Sequence, residues 1–375
     1  MTTGRASQTA WGEAVTGSHR ATLLLHSFEY RALSAMSCCF SSNLFRRRGN
    51  REDCYRVEER SAKPDESGEA PKYSWDRREK VDAADYTIKD CHNTTLRKDG
   101  KDGGPLQIEN CTDATIIFLH TTSQVIIDEC RRCTIVLGPT QGSVFVRDAA
   151  NCTILTACQQ LRTRDCTSVR IGILCPTEPI IENSNDIRFH HLAMNYPKLK
   201  DQLHSIGLRP FTNRVTSIHD FSPAGVSGKG NFTVSAENLP LSDGQQDILK
   251  FHTVLLNPSP ADFIPRFTEC KDKDPSYLYV LGNSEPVDEL GDRAIELLHA
   301  AYKAGMRIMS TYDIETKSVD PKLIPFAGSS ERMILMQVSG SLATLECDVD
   351  FDLISENDMQ PLQKLLVHLN SKKSG

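Results

Sequence analysis

Residues 106–137 read LQIENCTDATIIFLHTTSQVIIDECRRCTIVL, and this stretch carries one short pattern twice. IENC ends at Cys111 and IDEC ends at Cys130, and an isoleucine follows five residues after each cysteine. The pattern continues on both sides as IKDC, VRDA, TRDC and IENS. The last residues of the six tetrapeptides, called the anchors below, stand 20, 19, 19, 17 and 18 residues apart: Cys91, Cys111, Cys130, Ala149, Cys166 and Ser184. The chain therefore contains an internal repeat of 17 to 20 residues.

Other positions of the repeat also keep a constant character. Three residues before the anchors, the side chain is β-branched: Ile88, Ile108, Ile127, Val146, Thr163 and Ile181. Five residues after the anchors, the side chain is large and apolar: Leu96, Ile116, Ile135, Ile154, Ile171 and Phe189. The residue directly before each anchor is Asp, Asn or Glu, and every anchor is small. Such columns are typical of a stacked solenoid, in which each repeat packs only on its neighbours.

The repeat is too short for a pair of helices, and its β-branched residues favour strands. We therefore predict a parallel β-helix, in which equivalent residues stack at about the strand spacing of 4.8 Å. The apolar columns would form its core and the small anchors would fit a tight corner, so we interpret the cysteines as packing residues. An antiparallel sandwich is the weaker alternative, because it would not hold the columns in register over six repeats.

The bulk composition excludes several classes of function. A formal net charge of -6 and a pI near 6.0 argue against nucleic acid as a partner, since no basic excess is available to neutralise phosphates. The 13 cysteines include one Cys-x-x-Cys pair, Cys130 and Cys133, without a second pair at zinc-site spacing, so no metal site is expected. Neither a signal peptide nor an apolar segment of spanning length is evident, which predicts a cytoplasmic protein.

The composition divides the chain into four regions. Residues 1–70 are polar and irregular and are predicted to be disordered. Residues 71–222 hold the repeat, and residues 223–275 are rich in Gly, Ser, Pro and Asp and are predicted to form a connector. Residues 276–375 alternate strand and helix patterns, beginning with SYLYVLG and a helical PVDELGDRAIELLHAAYKAG. This last region predicts a small ferredoxin-like α/β domain.

Two adjacent cysteines lie in the N-terminal region. MSCCF places Cys38 and Cys39 beside an aromatic residue, and a basic triplet follows at residues 46–48. This combination favours S-acylation next to an anionic membrane surface. A disordered tail with incidental cysteines is the competing interpretation.

The sequence TACQQLRTRDC at residues 156–166 contains the main candidate site. In a strand, Gln160, Arg162 and Arg164 share one face, and the β-helix alignment turns that face outward.

The neighbouring coils carry apolar residues in the column of Arg162. Glu182 falls in the column of Arg164 and diagonally beside Arg162, where its carboxylate could form a bidentate pair with either guanidinium. An outward arginine beside a glutamine on a rigid scaffold suits stabilisation of charge on a transferring phosphoryl group. A solvated strand face is the alternative.

Four separated motifs carry a family resemblance: PKYSWDRREKVDAADY, ACQQLRTRDC, PIIENSNDIRF and SIHDFSP. Together they make residues 71–222 similar to the tubulin cofactor C homology domain. The resemblance implies a right-handed parallel β-helix that activates the small ARF-like GTPase 3 in its GTP state. GTP and magnesium would belong to the partner, so no cofactor and no independent catalytic activity are implied for this chain.

The resemblance also implies roles for individual residues. Arg162 would be the arginine finger and Glu182 would orient it. Gln159 and Gln160 would contact the GTPase near its nucleotide, with Arg164 in the same interface. Phe221 would make a hydrophobic contact with the switch region of the GTPase.

The family resemblance extends to the cellular role and to the C-terminal region. It implies trafficking of lipidated proteins to the cilium or membrane, with acylated Cys38 and Cys39 holding the protein at the plasma membrane or ciliary base. Residues 276–375 are similar to a nucleoside diphosphate kinase-like domain, but neither His299 nor His368 lies in the Asn-x-x-His-Gly setting of that kinase, so the domain is predicted to be non-catalytic. Two alternatives remain open: a tubulin-folding cofactor that activates GTP hydrolysis by tubulin, and a non-catalytic scaffold.

Overall fold

The computed structural model describes residues 83–222, 230–256, 263–267, 275–283 and 287–371. Contacts divide the chain into residues 1–70 and residues 71–375. The predicted disorder of residues 1–70 and the predicted acylation of Cys38 and Cys39 lie outside the described residues. Within the described ranges, no helix combines the length and apolarity that crossing a membrane requires.

Parallel pairing joins every repeat to the next, which confirms the predicted parallel β-helix. Strands β1, β3, β5, β7, β8 and β10 form one face, and β2, β4, β6, β8, β9 and β11 form another. Their bounds are β1 (Thr87–Lys89), β2 (Thr95–Arg97), β3 (Gly104–Glu109), β4 (Thr115–Phe118), β5 (Thr122–Asp128), β6 (Thr134–Leu137), β7 (Thr140–Arg147), β8 (Thr153–Arg164), β9 (Arg170–Leu174), β10 (Ile180–Glu182) and β11 (Ile187–His191).

The chain after β11 first extends the β-helix and then forms the α/β part. Two short strands add to the solenoid in parallel, β13 on β10 and β14 on β11. The bounds are β12 (Met194–Asn195), α1 (Leu199–Ser205), β13 (His219–Asp220), β14 (Phe232–Ser235), α2 (Asp243–Phe251), β15 (Leu255–Leu256), β16 (Ser276–Gly282), α3 (Val287–Lys303), β17 (Arg307–Glu315), β18 (Arg332–Ser339), β19 (Asp352–Leu353) and α4 (Met359–Ser371). Short 3-10 helices lie at Ala83–Tyr86, Pro210–Thr212, Thr316–Ser318, Pro321–Leu323, Pro325–Ala327, Leu342–Thr344 and Glu356–Asp358.

Each corner of the solenoid uses left-handed backbone on both sides of its anchor. The residue before the anchor and the second residue after it have φ between 44° and 56°. These residues are Asp90, Asn110, Glu129, Asp148, Asp165 and Asn183 before the anchors, and Asn93, Asp113, Arg132, Asn151, Ser168 and Asp186 after them. Asp and Asn tolerate this conformation better than other non-glycine residues. The polar column of the repeat is therefore explained mainly by backbone geometry.

The anchors fill the inside of the corner and satisfy a backbone carbonyl there. The Cys111 and Cys130 thiols each donate to the carbonyl oxygen two residues earlier, at 3.3 Å. The hydroxyl of Ser184 makes the equivalent bond to Glu182 at 2.8 Å. Burial raises the pKa of the Cys111 and Cys166 thiols to about 11, so these side chains stay protonated and behave as small packing residues.

The C-terminal sheet supports the ferredoxin-like prediction only in part. Its order is β17-β18-β16-β19, with antiparallel neighbours throughout, which is the strand order of a ferredoxin-like sheet. Helix α3 joins β16 to β17, as in that fold. The second helix differs, because α4 follows β19 instead of preceding it, and only the 3-10 turn Leu342–Thr344 lies between β18 and β19.

One hydrophobic core runs from the coils into the α/β part. Phe211, Val215 and Phe267 pack in the same buried cluster as the inward columns and as Leu278 and Val280 of β16. The end of the solenoid is therefore covered by the C-terminal sheet and helices rather than left open to water.

The corner geometry predicts that Glu129 is the least suitable residue of its column. Glu129 has φ of 52° and is exposed, and glutamate gains no local side-chain bond that favours the left-handed region. We expect Glu129→Asn to raise the free energy of unfolding by about 0.5 to 1 kcal/mol and Glu129→Val to lower it by about 1 kcal/mol. Urea denaturation of the two variants measures this, and an Asn variant less stable than wild type would contradict the corner explanation.

A histidine lies inside the coil that contains β11. His191 pairs with Ile173 in the neighbouring strand and is 3% exposed. Within the described residues, neither of its ring nitrogens meets a hydrogen-bond partner. Burial therefore lowers the pKa of His191 from the ordinary value of 6.5 to about 4, with the positive charge of Arg266 contributing in the same direction.

Because the folded state resists protonation of His191, the unfolded chain binds more protons between pH 4 and 6.5. The contribution of His191 to the free energy of unfolding is therefore fully present above about pH 6.5 and is lost as the pH falls towards 4. The total loss is about 3 kcal/mol. We expect His191→Leu to lack this part of the pH dependence. Urea denaturation at pH 7.0 and 4.5 checks it; wild type and variant losing equal stability would show that His191 does not titrate in this window.

Candidate functional site

The candidate site lies on the outward face formed by β7, β8, β10 and β13. Arg162 is aligned with Phe145 in β7 and with Ile180 in β10, as the column alignment predicts. Leu161 and Thr163 on either side are buried, whereas Arg162 is exposed. The strand alternation thus turns the guanidinium of Arg162 away from the core.

Among the residues that the structure describes, Arg162 makes one loose ion pair. Its Nη1 lies 3.7 Å from Oε1 of Glu182, and the two side chains are 49% and 37% exposed. The bidentate pair predicted for Glu182 is not formed. Arg164 is aligned with Glu182 but turns its Nε to Asp165, at 3.2 Å. The exposed contact between Arg162 and Glu182 stabilises the fold by less than about 1 kcal/mol. The guanidinium of Arg162 can therefore leave Glu182 at little cost in free energy.

Other cations on this face are held more tightly. Lys89 lies 2.5 Å from Glu109, and Arg147 lies 2.5 Å from Asp128. These pairs continue the column of Arg164 along successive coils. The distance from Arg162 to its carboxylate is longer than in these two pairs, so the side chain of Arg162 is freer to bind a partner.

Gln160 has its amide oriented by a neighbouring coil. Ser143 is aligned with Gln160, and its hydroxyl donates to Oε1 of Gln160 at 3.0 Å. With the carbonyl oxygen occupied, the two N–H donors of the amide are left for an acceptor on a partner. Ser143 was not among the residues predicted from sequence, and the repeat alignment was the signal that could have identified it.

Gln159 is fixed through its backbone rather than its side chain. Its carbonyl oxygen accepts from the hydroxyl of Thr177 at 2.7 Å and from the thiol of Cys175 at 3.5 Å. The side chain of Gln159 is exposed. The structure therefore brings Gln159 and Gln160 to the same end of β8 as Arg162, with the strand held firmly beneath them.

Phe221 lies at the far side of the same face. Its backbone N–H donates to the carbonyl oxygen of Ile181 at 2.8 Å, and its ring is 63% exposed. The ring contacts that of His219, with the centroids 4.2 Å apart and the ring planes tilted by 41°. His219 continues the column of Arg162 through Ile180. His219 is a further residue of this face that sequence reasoning missed.

Apolar side chains complete the face. Ile126, Phe145 and Ile180 point outward in the column of Arg162 and are half-buried. Together with the exposed ring of Phe221, they surround Arg162 with surface that a partner could cover. Among the described residues, no group of three or more His, Cys, Asp or Glu side chains is placed to hold a metal ion.

Comparison with known proteins places this face inside a recognised domain. A family model described as Tubulin binding cofactor C matches residues 103–221. A solved structure, Tubulin Binding Cofactor C from Leishmania major, aligns with 36% of this chain and 87% of its own length at 23% identity, with a TM-score of 0.28.

Curated relatives match over a longer part of the chain. Protein XRP2 of Gallus gallus is 37% identical over 291 residues, covering 75% of this chain and 79% of the relative. Protein XRP2 of Danio rerio is 35% identical over 294 residues, covering 75% and 76%. Protein XRP2 of Homo sapiens is 43% identical over 211 residues, covering 56% of each. The β-helix holds the cofactor C domain, and the Gallus gallus and Danio rerio relatives match three quarters of the chain, so the chain belongs to the XRP2, or retinitis pigmentosa 2 protein, family.

Proposed function

We propose that this protein activates the GTPase of a small ARF-like partner, type 3, by inserting Arg162 into the nucleotide site of its GTP-bound form. The observation that supports this most directly is the state of Arg162: half-exposed, on a rigid strand, and held by a single 3.7 Å contact to Glu182. The nucleotide and magnesium would come with the partner.

An arginine supplied in trans neutralises negative charge that develops on the phosphate oxygens as the bond to the γ-phosphate breaks. Such a group accelerates hydrolysis by about 10³- to 10⁵-fold, or about 4 to 7 kcal/mol of barrier. Releasing Arg162 from Glu182 costs less than about 1 kcal/mol, so most of that gain would remain available. In the free protein, Glu182 would limit the orientations of the Arg162 guanidinium without preventing its movement into the partner's nucleotide site.

The neighbouring side chains supply the rest of the interface. Ile126, Phe145 and Ile180 lie in the same column as Arg162, and the exposed ring of Phe221 lies beside that column. Burying this apolar surface against the partner would exclude water from the arginine and strengthen its interaction with phosphate. The amide of Gln160, oriented by Ser143, would donate to an acceptor near the nucleotide.

Membrane attachment belongs to the same proposal. Acylated Cys38 and Cys39 together with the basic triplet at residues 46–48 would provide two membrane signals, which stable anchoring requires. The activity would then act at the plasma membrane or ciliary base, in the trafficking of lipidated proteins.

Tubulin is the second candidate substrate of the activation. The description of the matched family, Tubulin binding cofactor C, favours it, and the same arginine would act on the nucleotide bound to tubulin. A non-catalytic scaffold is the third possibility, and in that case Arg162 would only bind.

Single-turnover GTP hydrolysis distinguishes these three functions. We expect wild-type protein to accelerate hydrolysis by the ARF-like GTPase, and Arg162→Ala to lose about 10³-fold or more of that acceleration. Arg162→Lys should lose most of it too, since an ammonium group lacks the planar fork.

Arg188→Ala is the matched control, because Arg188 is an exposed arginine of the same solenoid that lies in β11 on another face. A parallel reaction with tubulin and its folding cofactors tests the second candidate. Acceleration that survives Arg162→Ala would exclude the arginine-finger mechanism.

Ser143→Ala tests the orientation of Gln160 separately. Loss of one hydrogen bond to the amide should reduce the acceleration by about 3- to 10-fold, mainly in the rate at saturating activator. Ser143→Thr keeps a hydroxyl and should restore activity. If Arg162→Ala is inactive but Ser143→Ala is fully active, Ser143 does not position Gln160 for the reaction.

A further inference from the structure

An acidic residue continues an inward column of the solenoid at its C-terminal end. Asp220 in β13 is aligned with Ile181 in β10, and the same column runs back through the earlier coils to Ile88. The side chains of this column from Ile88 to Ile181 are buried, and Asp220 is half-buried. A carboxylate in such a position loses hydration and needs hydrogen bonds in return. The bonds of Asp220 therefore indicate why an aspartate stands there.

Both carboxylate oxygens of Asp220 accept a hydrogen bond. Oδ1 accepts from the backbone N–H of Ser222 at 2.8 Å, across Phe221. Oδ2 accepts from Nδ2 of Asn231 at 2.9 Å. Asn231 is 6% exposed, and its carbonyl oxygen accepts from the backbone N–H of Ile187 at 3.0 Å. Asp220 is therefore tied to a residue that the solenoid itself holds in place.

Further bonds fix the backbone on both sides of the Phe221 ring. The N–H of Phe221 donates to the carbonyl oxygen of Ile181 at 2.8 Å. The hydroxyl of Ser222 accepts from the backbone N–H of Ser184, the last anchor, at 3.1 Å. The residues whose side chains make these bonds around Phe221 are called the clasp below: Asp220, Ser222 and Asn231.

The clasp holds the backbone and leaves the ring of Phe221 outside. The ring is 63% exposed, whereas Asp220 and Ser222 on either side of it are half-buried. An aromatic ring on a fixed backbone loses little further conformational freedom when a partner covers it. Aromatic side chains of this kind often carry a large share of the binding energy of a protein interface.

From these contacts we propose that Asp220 and Asn231 are positioning residues that fix Phe221 as an affinity anchor for an apolar surface of the partner GTPase. This inference rests on the proposed function, because it concerns the same interface. Arg162 would lower the barrier to hydrolysis, whereas the clasp would set the concentration at which the complex forms. The two roles predict different effects on affinity and on rate.

Calorimetric titration of the full chain with the ARF-like GTPase, loaded with a non-hydrolysable GTP analogue, measures affinity separately from hydrolysis. We expect Phe221→Ala to raise Kd about 30-fold through loss of the aromatic anchor. Asn231→Ala should raise Kd roughly 3- to 10-fold, since binding must then order the segment around Phe221. The double variant should bind no more weakly than Phe221→Ala, because the clasp acts through the ring. In single-turnover hydrolysis at saturating activator, Asn231→Ala should reach the wild-type rate.

Gln202→Ala is the matched control for loss of a buried amide. Gln202 lies in α1, is 8% exposed, and donates from Nε2 to the carbonyl oxygen of Leu119 at 2.8 Å. Its substitution should leave Kd unchanged. Hydrogen exchange checks the clasp without a partner: in Asn231→Ala, the amides of Phe221 and Ser222 should exchange about 10-fold faster while the rest of the solenoid stays protected.

The outcomes separate this inference from the proposed activation. Asn231→Ala that binds as tightly as wild type, or that weakens binding further when added to Phe221→Ala, would overturn the clasp. Unchanged exchange at Phe221 and Ser222 would overturn it as well. Wild type that binds the loaded GTPase without accelerating hydrolysis would contradict the proposed activation alone, and the Kd values would still decide the role of the clasp. Absence of binding by wild type would overturn both.

Discussion

The corner of each coil is the constraint on which the rest of this structure depends. A small anchor stands between two residues in the left-handed backbone region at every corner from Cys91 to Ser184, and the anchors from Cys111 to Ser184 are buried. Because strand side chains alternate between the two faces, a shift of one residue at a corner would exchange inward and outward positions along the following strand. The outward direction of Arg162 is thus fixed by the corners before and after β8.

A rigid backbone and a loosely held side chain together explain why Arg162 differs from its neighbours. Backbone pairing with Phe145 and Ile180 removes most of the entropy cost of presenting the residue to a partner. The side chain itself is held at 3.7 Å, whereas Arg147 is held at 2.5 Å by Asp128. An arginine in the tighter pair would have to lose that contact before it could bind phosphate. The candidate site is therefore distinguished by a weak contact within a well-ordered surface.

The sequence was sufficient for those parts of the structure that repeat. The apolar columns, the small anchors and the outward face of β8 all follow from residues at constant spacing. The alignment also places Ser143 beside Gln160, because both lie in the same register as Phe145 and Arg162. The hydrogen bond between their side chains depends on rotamers, which the repeat does not specify. The diagonal position of Glu182 beside Arg162 followed from the same columns, but the predicted bidentate pair is replaced by a single contact at 3.7 Å. Arg164 has a closer carboxylate next to it in sequence, that of Asp165. Strand β19, with two residues, carries too little pattern to place it before α4.

The α/β part has a structural reason to be present that does not depend on any enzymatic role. A solenoid ends in a coil whose core and strand edges would face water, and it needs a cap. Here the α/β part meets the segment after the last coil, where Thr311 donates to the carbonyl oxygen of Phe211 at 3.0 Å and Arg209 approaches Asp313. Packing of this kind gives the α/β part a contribution to stability that requires no catalytic residue.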